Sequence, residues 1–518
     1  MLAAINNLSV CAADVGNAFL YGKTKEKVYV RAGPEFGKGR VGKRLVIVQA
    51  LYGLRSSSAR YHEAFADTML SLGYRPSRAD PNLWWIDCKT HHEFVATYVD
   101  DLLVFAKQPM DLITTLKQKY VLKGVGEPEY YLGANLVDVT GWGKPGVKYG
   151  LSAETYVGRI VQQVEKTIGK PVIKRHTPLP DGYHPELEET PILPAEQASF
   201  YRSLTGALNW VVTLCRVDLA FTNQLMARYN AIPRQGHLDA MIRVMGYLKQ
   251  WDKGTLIFDP RPHPIPQHTE YEHYDTWKQH YPDAVEEIPH DGLPPRGKEG
   301  RLFIYVDADH ATDQVTRRSN TGIIVYLNST PIRWVSKRQP TVESSTHGAE
   351  LVAGKVATEI AIEMRYKLRM LGVPMEGPTI VLGDNNSVVL NVSLPSSTLK
   401  KKHNSVAFHR IREAVAAQII TFWYVATMLN LADLLTKILG KNKHLGFTKQ
   451  IMFRTSGSGN QEEASSPTEQ EDESIGSSGD PGRRGVSNKT VTFSIDNPET
   501  EELAGTSADS PASTDTQS

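Results

Sequence analysis

Four residues, Tyr98-Val99-Asp100-Asp101, lie between two apolar runs and constrain the fold more than any other part of the chain. Residues 94–97 on one side and 102–105 on the other predict two β-strands, with the acidic pair where the chain turns back. Two carboxylates about 4 Å apart repel by roughly 4 kcal/mol at an effective dielectric near 20. A chain that keeps them adjacent at the tip of an apolar hairpin uses Asp either as an ordinary turn former or as a ligand for divalent metal.

Upstream, the short apolar stretch 10–13 predicts a strand that ends at Asp14. A strand-end carboxylate facing an acidic hairpin suits two Mg2+ ions around a phosphoryl group. The segment Asp14-Val15-Gly16-Asn17-Ala18-Phe19 resembles the first palm motif of a reverse transcriptase, and Tyr98-Val99-Asp100-Asp101 the third. Between them, Ala50-Leu51-Tyr52-Gly53-Leu54-Arg55, then Arg60-Tyr61, is similar to the template-contacting segment of copia-type (Pseudoviridae) long-terminal-repeat retrotransposons. Tyr131-Leu132-Gly133 and Tyr149-Gly150-Leu151-Ser152 fall where that family has matching elements. The resemblance implies that Asp14, Asp100 and Asp101 are catalytic Mg2+ ligands. It puts Phe19 and Tyr98 at the nucleotide, Phe19 as the gate against ribose 2′-hydroxyls, and Tyr52, Gly53 and Arg55 at the nucleic acid. On composition alone Phe19 reads equally as a core residue.

A second constellation follows. Residues 301–306 predict a strand ending at Asp307-Ala308-Asp309, and two more strands are expected over 321–327 and 331–337. Ser344-Ser345-Thr346 precede a helix predicted over 347–371, with Glu350 in its first turn. Strand 378–382 ends at Asp384, and strand 420–425 leads to Asn430, which can cap a short helix carrying Asp433. Alone, each carboxylate also reads as a helix-face charge or turn former. Together, four at one sheet edge can bind two hard cations and activate water against a phosphodiester. The order resembles the copia-type ribonuclease H, which implies Asp307, Glu350, Asp384 and Asp433 as catalytic metal ligands. Where that family usually has Thr-Glu-Ala-Glu, this chain has His347-Gly348-Ala349-Glu350, and Gly348 is expected to weaken the helix start slightly. Residues 425–432 contain no histidine before Asp433. Lys401, Lys402, His403, His409 and Arg412 resemble the family's basic segment and would contact hybrid phosphates; a solvated helix face is the alternative. Residues 301–447 hold five candidate strands and the helices needed to cover them, so this segment could fold alone.

The 518 residues allow several domains. The fold class expected is α/β, multidomain: a reverse-transcriptase palm (1–150), a mainly helical thumb and connection (151–260), a linker or insertion (261–300), a ribonuclease H-like mixed sheet with helices (301–450), and a disordered acidic tail (451–518). Helical spacing of Leu204, Leu208, Val211 and Val212, then Met241, Val244, Met245 and Leu248, supports the second of these. The irregular histidines of 261–300 do not have metal-site spacing. Cys11, Cys88 and Cys215 show no CxxC spacing and read as buried small side chains in a reducing compartment. Residues 455–518 carry 13 acidic and 3 basic side chains, so the net +1 leaves +11 on the rest, a balance that fits a polyanionic partner. No apolar run is long enough to span a bilayer, and no signal peptide is expected.

By the resemblance, the expected function is RNA-directed DNA synthesis coupled to ribonuclease H cleavage of RNA in RNA–DNA hybrids, as part of a Pol polyprotein. The implied partners are RNA template, DNA primer, RNA–DNA hybrid, dNTPs and other Pol and Gag products, with two Mg2+ per active site and no membrane. The implied location is cytoplasmic, in virus-like particles, or nuclear. The family's fingers region is expected to be missing ahead of Asp14, which leaves open a second reading, a catalytically inactive remnant that only binds nucleic acid.

Overall fold

The computed structural model describes residues 1–142, 144, 146–399 and 402–454. The alternating segments around the acidic hairpin build a six-stranded sheet, in the order Arg75–Pro76, Leu83–Asp87, His92–Tyr98, Asp101–Ala106, Ser9–Val15 and Leu122–Gly126. Buried and open positions alternate along Ser9–Val15, the pattern of a sheet with one face on a core. That core receives Tyr61, Phe65 and Met69 from the helix Ser57–Ser71, and Leu112, Ile113 and Leu116 from Pro109–Leu116, around Trp84 and Tyr120. Truncating Phe65 or Trp84 to alanine would cost about 3–5 kcal/mol. A separate hairpin, Lys23–Arg31 with Arg44–Gln49, leaves Tyr29, Val46 and Val48 exposed.

A second sheet orders Phe453–Arg454, Gly254–Ile257, Tyr149–Ser152, Ala134–Asp138 and Tyr130–Tyr131. Strand Tyr149–Ser152 crosses the boundary expected at 150, because its partners lie on both sides of it. Residues 451–454, expected to belong to the tail, are part of the fold. Ile451 and Met452 are buried and Phe453 pairs with Thr255, so apolar burial and backbone pairing hold the chain there. Residues 455–518, the remainder of that expectation, lie outside the described residues.

The apolar spacing beyond 194 forms the helices Ala195–Leu214, Ala220–Ala227 and Gln235–Gln250, packed with Glu154–Ile168. Between them Arg216, fully buried, donates to both carboxylate oxygens of Asp218 at 2.9 and 2.8 Å and to the Trp251 carbonyl at 2.9 Å. A buried guanidinium persists only with such partners.

The third sheet is mixed, ordered His268–Thr269, Ile420–Val425, Thr379–Gly383, Leu302–Ala308, Asn320–Leu327 and Thr330–Arg338. Leu302–Ala308 and Asn320–Leu327 are buried at every position, which requires cover on both faces. Helices Thr346–Met370 and Ser405–Ala416 supply one cover. Phe303, Tyr305, Ile324 and Tyr326 join the core of Ala195–Leu214 and Gln235–Gln250 on the other. Trp334 Nε1 donates across that junction to the Val212 carbonyl at 3.1 Å. The expectation that 301–447 folds alone is therefore corrected. On its own it would bare this second face, at about 1.5–3 kcal/mol for each large side chain.

Residues 261–300 are also more than a linker. His268–Thr269 adds a sixth strand against Ile420–Val425, and Trp277 is buried. Glu286 pairs with Arg365 and Arg369 at 2.8 and 2.9 Å, while Arg296 lies 3.3 Å from Asp87. Residues that are aperiodic in sequence each meet a separate complementary site. Among the described residues, no helix is long and apolar enough to cross a membrane.

Candidate active sites

The first site forms where strand ends meet the hairpin. Asp14 and Asp101 are direct cross-strand partners, and the Val15 N–H donates to the Asp100 carbonyl at 2.8 Å. Tyr98 pairs with Asp101, so the turn is the two residues Val99 and Asp100. Val99 has φ 55°, in the left-handed region. A β-branched residue there costs about 1–2 kcal/mol, which the paired strands on either side sustain. Burial raises the Asp101 carboxyl, and the Asp100 and Asp14 charges raise it further. Tyr61, beneath the site, is pushed up by burial, with smaller contributions that include Asp100 and Asp14. The three carboxylates thus feel one another, although their oxygens are not gathered within 4.8 Å among the described residues.

Lys123 is the residue that sequence reasoning missed. It is the cross-strand partner of Asp14 on the side away from Asp101, so all three side chains face one way. Its Nζ lies 3.6 Å from where a Cβ on Gly16 would sit, which makes Gly16 the space it needs. A lone lysine between Leu122 and Gly124, just past the hairpin, was the available signal. Phe19 is half-buried in the turn Ala18–Tyr21, its ring 4.6 Å from that of Tyr52, which is 60% exposed. Tyr98 and Arg55 are exposed, and Gly53 adopts φ 96° in open space.

At the second site, Asp307, Glu350 and Asp384 place carboxylate oxygens within 4.8 Å of one another. Asp307 closes the buried strand Leu302–Ala308, and Asp384 follows Thr379–Gly383. Glu350 lies one residue beyond the first turn of Thr346–Met370, a small correction to its expected place. Gly348 has a purpose beyond helix propensity, since a Cβ there would meet Glu343 Oε2 at 2.8 Å and Asn404 Nδ2 at 3.0 Å. Burial raises the Glu350 carboxyl well above its ordinary value, and Asp307 and Asp384 add to it. Asp307 is raised too, by burial and by Asp433 and Asp384, against the opposing pull of Lys437. Burial and the neighbouring carboxylates thus make it costly to ionise these groups together, a cost that a bound cation would relieve.

Asp433 is fully buried and is not gathered with the other three. Asn430 caps its turn as expected, accepting from the Ala432 N–H at 3.2 Å while donating to the Val306 carbonyl at 2.9 Å. The Asp433 carboxylate pairs with Lys443 and with Lys437, whose Nζ is 2.7 Å from Oδ1 and 3.4 Å from Asp307 Oδ2. Burial opposes the Lys437 charge, but Asp307 and Asp433 outweigh it and hold the ammonium above its ordinary value. The Thr436 hydroxyl donates to Asp307. Thr436 and Lys437, three and four residues past Asp433, went unnoticed because their spacing matches any helical turn.

The basic segment divides. Lys402 and His403 are exposed, with His403 Nε2 3.5 Å from Glu343. His409 is exposed and bonded to the Tyr281 hydroxyl at 2.8 Å. Arg412 is 3% exposed, so its placement at nucleic acid is corrected. Its guanidinium donates to the carbonyls of Asn391, Leu394 and Pro395 and lies 4.7 Å from the Trp277 and Phe408 ring centres. Lys401 lies outside the described residues.

Residues 1–178 match the family described as "Reverse transcriptase (RNA-dependent DNA polymerase)". Over 447 residues the chain is 26% identical to the "Retrovirus-related Pol polyprotein from transposon RE1" of Arabidopsis thaliana, covering 85% of this chain and 27% of that protein. It is 26% identical over 454 residues to the corresponding polyprotein from transposon TNT 1-94 of Nicotiana tabacum, covering 85% and 31%. The chain thus spans less than a third of the length of these relatives. Among solved structures, a foamy viral protease-reverse transcriptase in complex with RNA/DNA hybrid is similar over 84% of this chain and 68% of that one, at 13% identity and a TM-score of 0.24.

Proposed function

We propose that this chain, whose residues 1–178 are a reverse transcriptase domain of the copia type, copies RNA into DNA at the first site and cuts the RNA of RNA–DNA hybrids at the second. The observation that carries this reading is the pair of carboxylate groups, each at strand ends of its own sheet, within one body. The six residues proposed to hold metal, Asp14, Asp100, Asp101, Asp307, Glu350 and Asp384, offer oxygen only, the donor set of a hard cation, and Mg2+ is the cation proposed. Bound there, such an ion would lower the pKa of an attacking hydroxyl or water and stabilise charge on the transferring phosphoryl group.

In the first site, Asp14, Asp100 and Asp101 hold the cation, and the Lys123 ammonium on the same face draws phosphate oxygens toward them. Phe19 and Tyr52 present a packed aromatic wall to sugar and base, and Tyr98 and Arg55 extend it toward template and dNTP. In the second site Asp307, Glu350 and Asp384 hold the cation, while Lys437 and Lys443 pair with the buried Asp433. Lys402 and His403 offer charge to the hybrid backbone. The five-part division, with the corrected boundaries, is part of this proposal. An inactive remnant remains the second reading for the nuclease, favoured by the two lysines on Asp433. Primer extension on an RNA template with Mg2+ and dNTPs tests the polymerase assignment. Asp100→Asn is expected to lower the rate by orders of magnitude, and an unchanged rate would refute the assignment.

A further inference from the structure

Far from either carboxylate group in sequence, the four-residue connection between strands Leu83–Asp87 and His92–Tyr98 brings three dissimilar metal-ligand types together. Cys88 Sγ, a His91 ring nitrogen and a Glu93 oxygen all lie within 4.8 Å of one another. Cys88 and His91 are the two ends of the connection, and Glu93 shares the face of His91 two residues along the strand. All three are half-buried, so Cys88 is not the enclosed small side chain that its sequence context predicts.

The hydrogen bonds around the trio fix its ring and its carboxylate. His91 Nδ1 is 2.9 Å from Thr90 Oγ1, and Nε2 is 3.4 Å from Glu93 Oε1. Glu93 Oε1 is fixed by the Lys107 N–H at 2.8 Å. Thr90 Oγ1 and Glu93 Oε1 thus sit one at each ring nitrogen, which orients the imidazole with Nε2 toward the carboxylate. A metal ion between Nε2 and Oε1 would take the place of the proton they share. Zn2+ bonds of about 2.0–2.1 Å to nitrogen and oxygen, at a tetrahedral angle, put the two atoms about 3.4 Å apart. Thr90 on the far ring nitrogen and Lys107 on the carboxylate are the outer contacts that orient such ligands. Glu93 also lines a cavity of about 370 Å3 with Tyr74, Lys107 and Asp111.

We propose that Cys88, His91 and Glu93 form a site for one divalent transition metal of the Zn2+ class, with water in the fourth position. Its donor set of sulfur, nitrogen and oxygen separates it from the all-oxygen sites, which select harder ions. The metal joins the ends of the Leu83–Asp87 and His92–Tyr98 hairpin at the place where Arg296 meets Asp87 and His92 Nε2 meets the Pro294 carbonyl at 2.8 Å.

Titrating the full chain with Co2+ in excess Mg2+ tests this, because only a thiolate ligand produces a sulfur-to-cobalt charge-transfer band. Cys11 and Cys215 are buried away from any such cluster, so the band reports on Cys88. The expected result is one equivalent of Co2+ with the charge-transfer band and an intense tetrahedral d–d spectrum, displaced by Zn2+. Cys88→Ser is expected to abolish the charge-transfer band. Thr90→Val should keep the band while weakening Zn2+ binding about tenfold or more. Should Cys88→Ser fail to fold, His91→Ala provides the same decision through loss of the stoichiometric site. Co2+ binding without a thiolate band, or a band that survives in Cys88→Ser, would overturn the proposal.

Discussion

Single residues show where sequence and structure agree and where they part. Asp14, Asp100 and Asp101 were legible because strand-end acids beside apolar runs have few uses. Arg412 was misplaced because a basic run looks the same whether a guanidinium meets phosphate or three carbonyls. The two roles separate experimentally. Lys402→Ala is expected to weaken hybrid binding and flatten its salt dependence, as loss of a phosphate contact does. Arg412→Ala should instead lower unfolding stability by about 3–5 kcal/mol, measured in urea, with the salt slope unchanged. Val99 makes a different point, since its left-handed φ was invisible in an apolar-looking hairpin. Val99→Gly relieves about 1–2 kcal/mol of steric cost, offset by the greater freedom of glycine in the unfolded chain. The expected outcome is unchanged or slightly raised stability in urea, and a loss above about 1 kcal/mol would show that the Val99 side chain packs more than it strains.

At the scale of elements, periodicity located the strands of both acidic sites to within a residue or two, and the Asn430 cap as well. It could not locate segment 261–300, whose anchors are single side chains rather than a repeating face. His263 is one of these anchors, set against Phe303, Tyr305 and Tyr326 and bonded to the Tyr305 hydroxyl at 3.1 Å. Burial lowers its pKa to about 4, from an ordinary 6.5. Because the folded value is the lower one, the stability this ring contributes is complete above about pH 6.5 and is lost as the pH falls toward about 4. Urea unfolding of the wild type and of His263→Phe at pH 7.5 and pH 5 should show the wild type losing about 2 kcal/mol relative to the variant at the lower pH. Parallel losses would mean that His263 is charged and solvated in the folded chain.

For the whole molecule, the strands Leu302–Ala308 and Asn320–Leu327 are buried on both faces, so the sheet that carries Asp307 and the helices Ala195–Leu214 and Gln235–Gln250 share one core. Sequence patterning could not reveal this, because a strand buried on both sides reads alike whether its second cover is its own helix or a neighbour's. The central claim is that one body holds two independent carboxylate centres. Its most direct test is a single reaction on an end-labelled RNA template with a DNA primer, Mg2+ and dNTPs, read for primer extension and RNA cleavage together. Asp101→Asn is expected to abolish extension and keep cleavage of a preformed hybrid, and Asp384→Asn to do the reverse. Loss of both activities in either variant with the fold intact, or a wild-type chain that extends but never cuts, would contradict it.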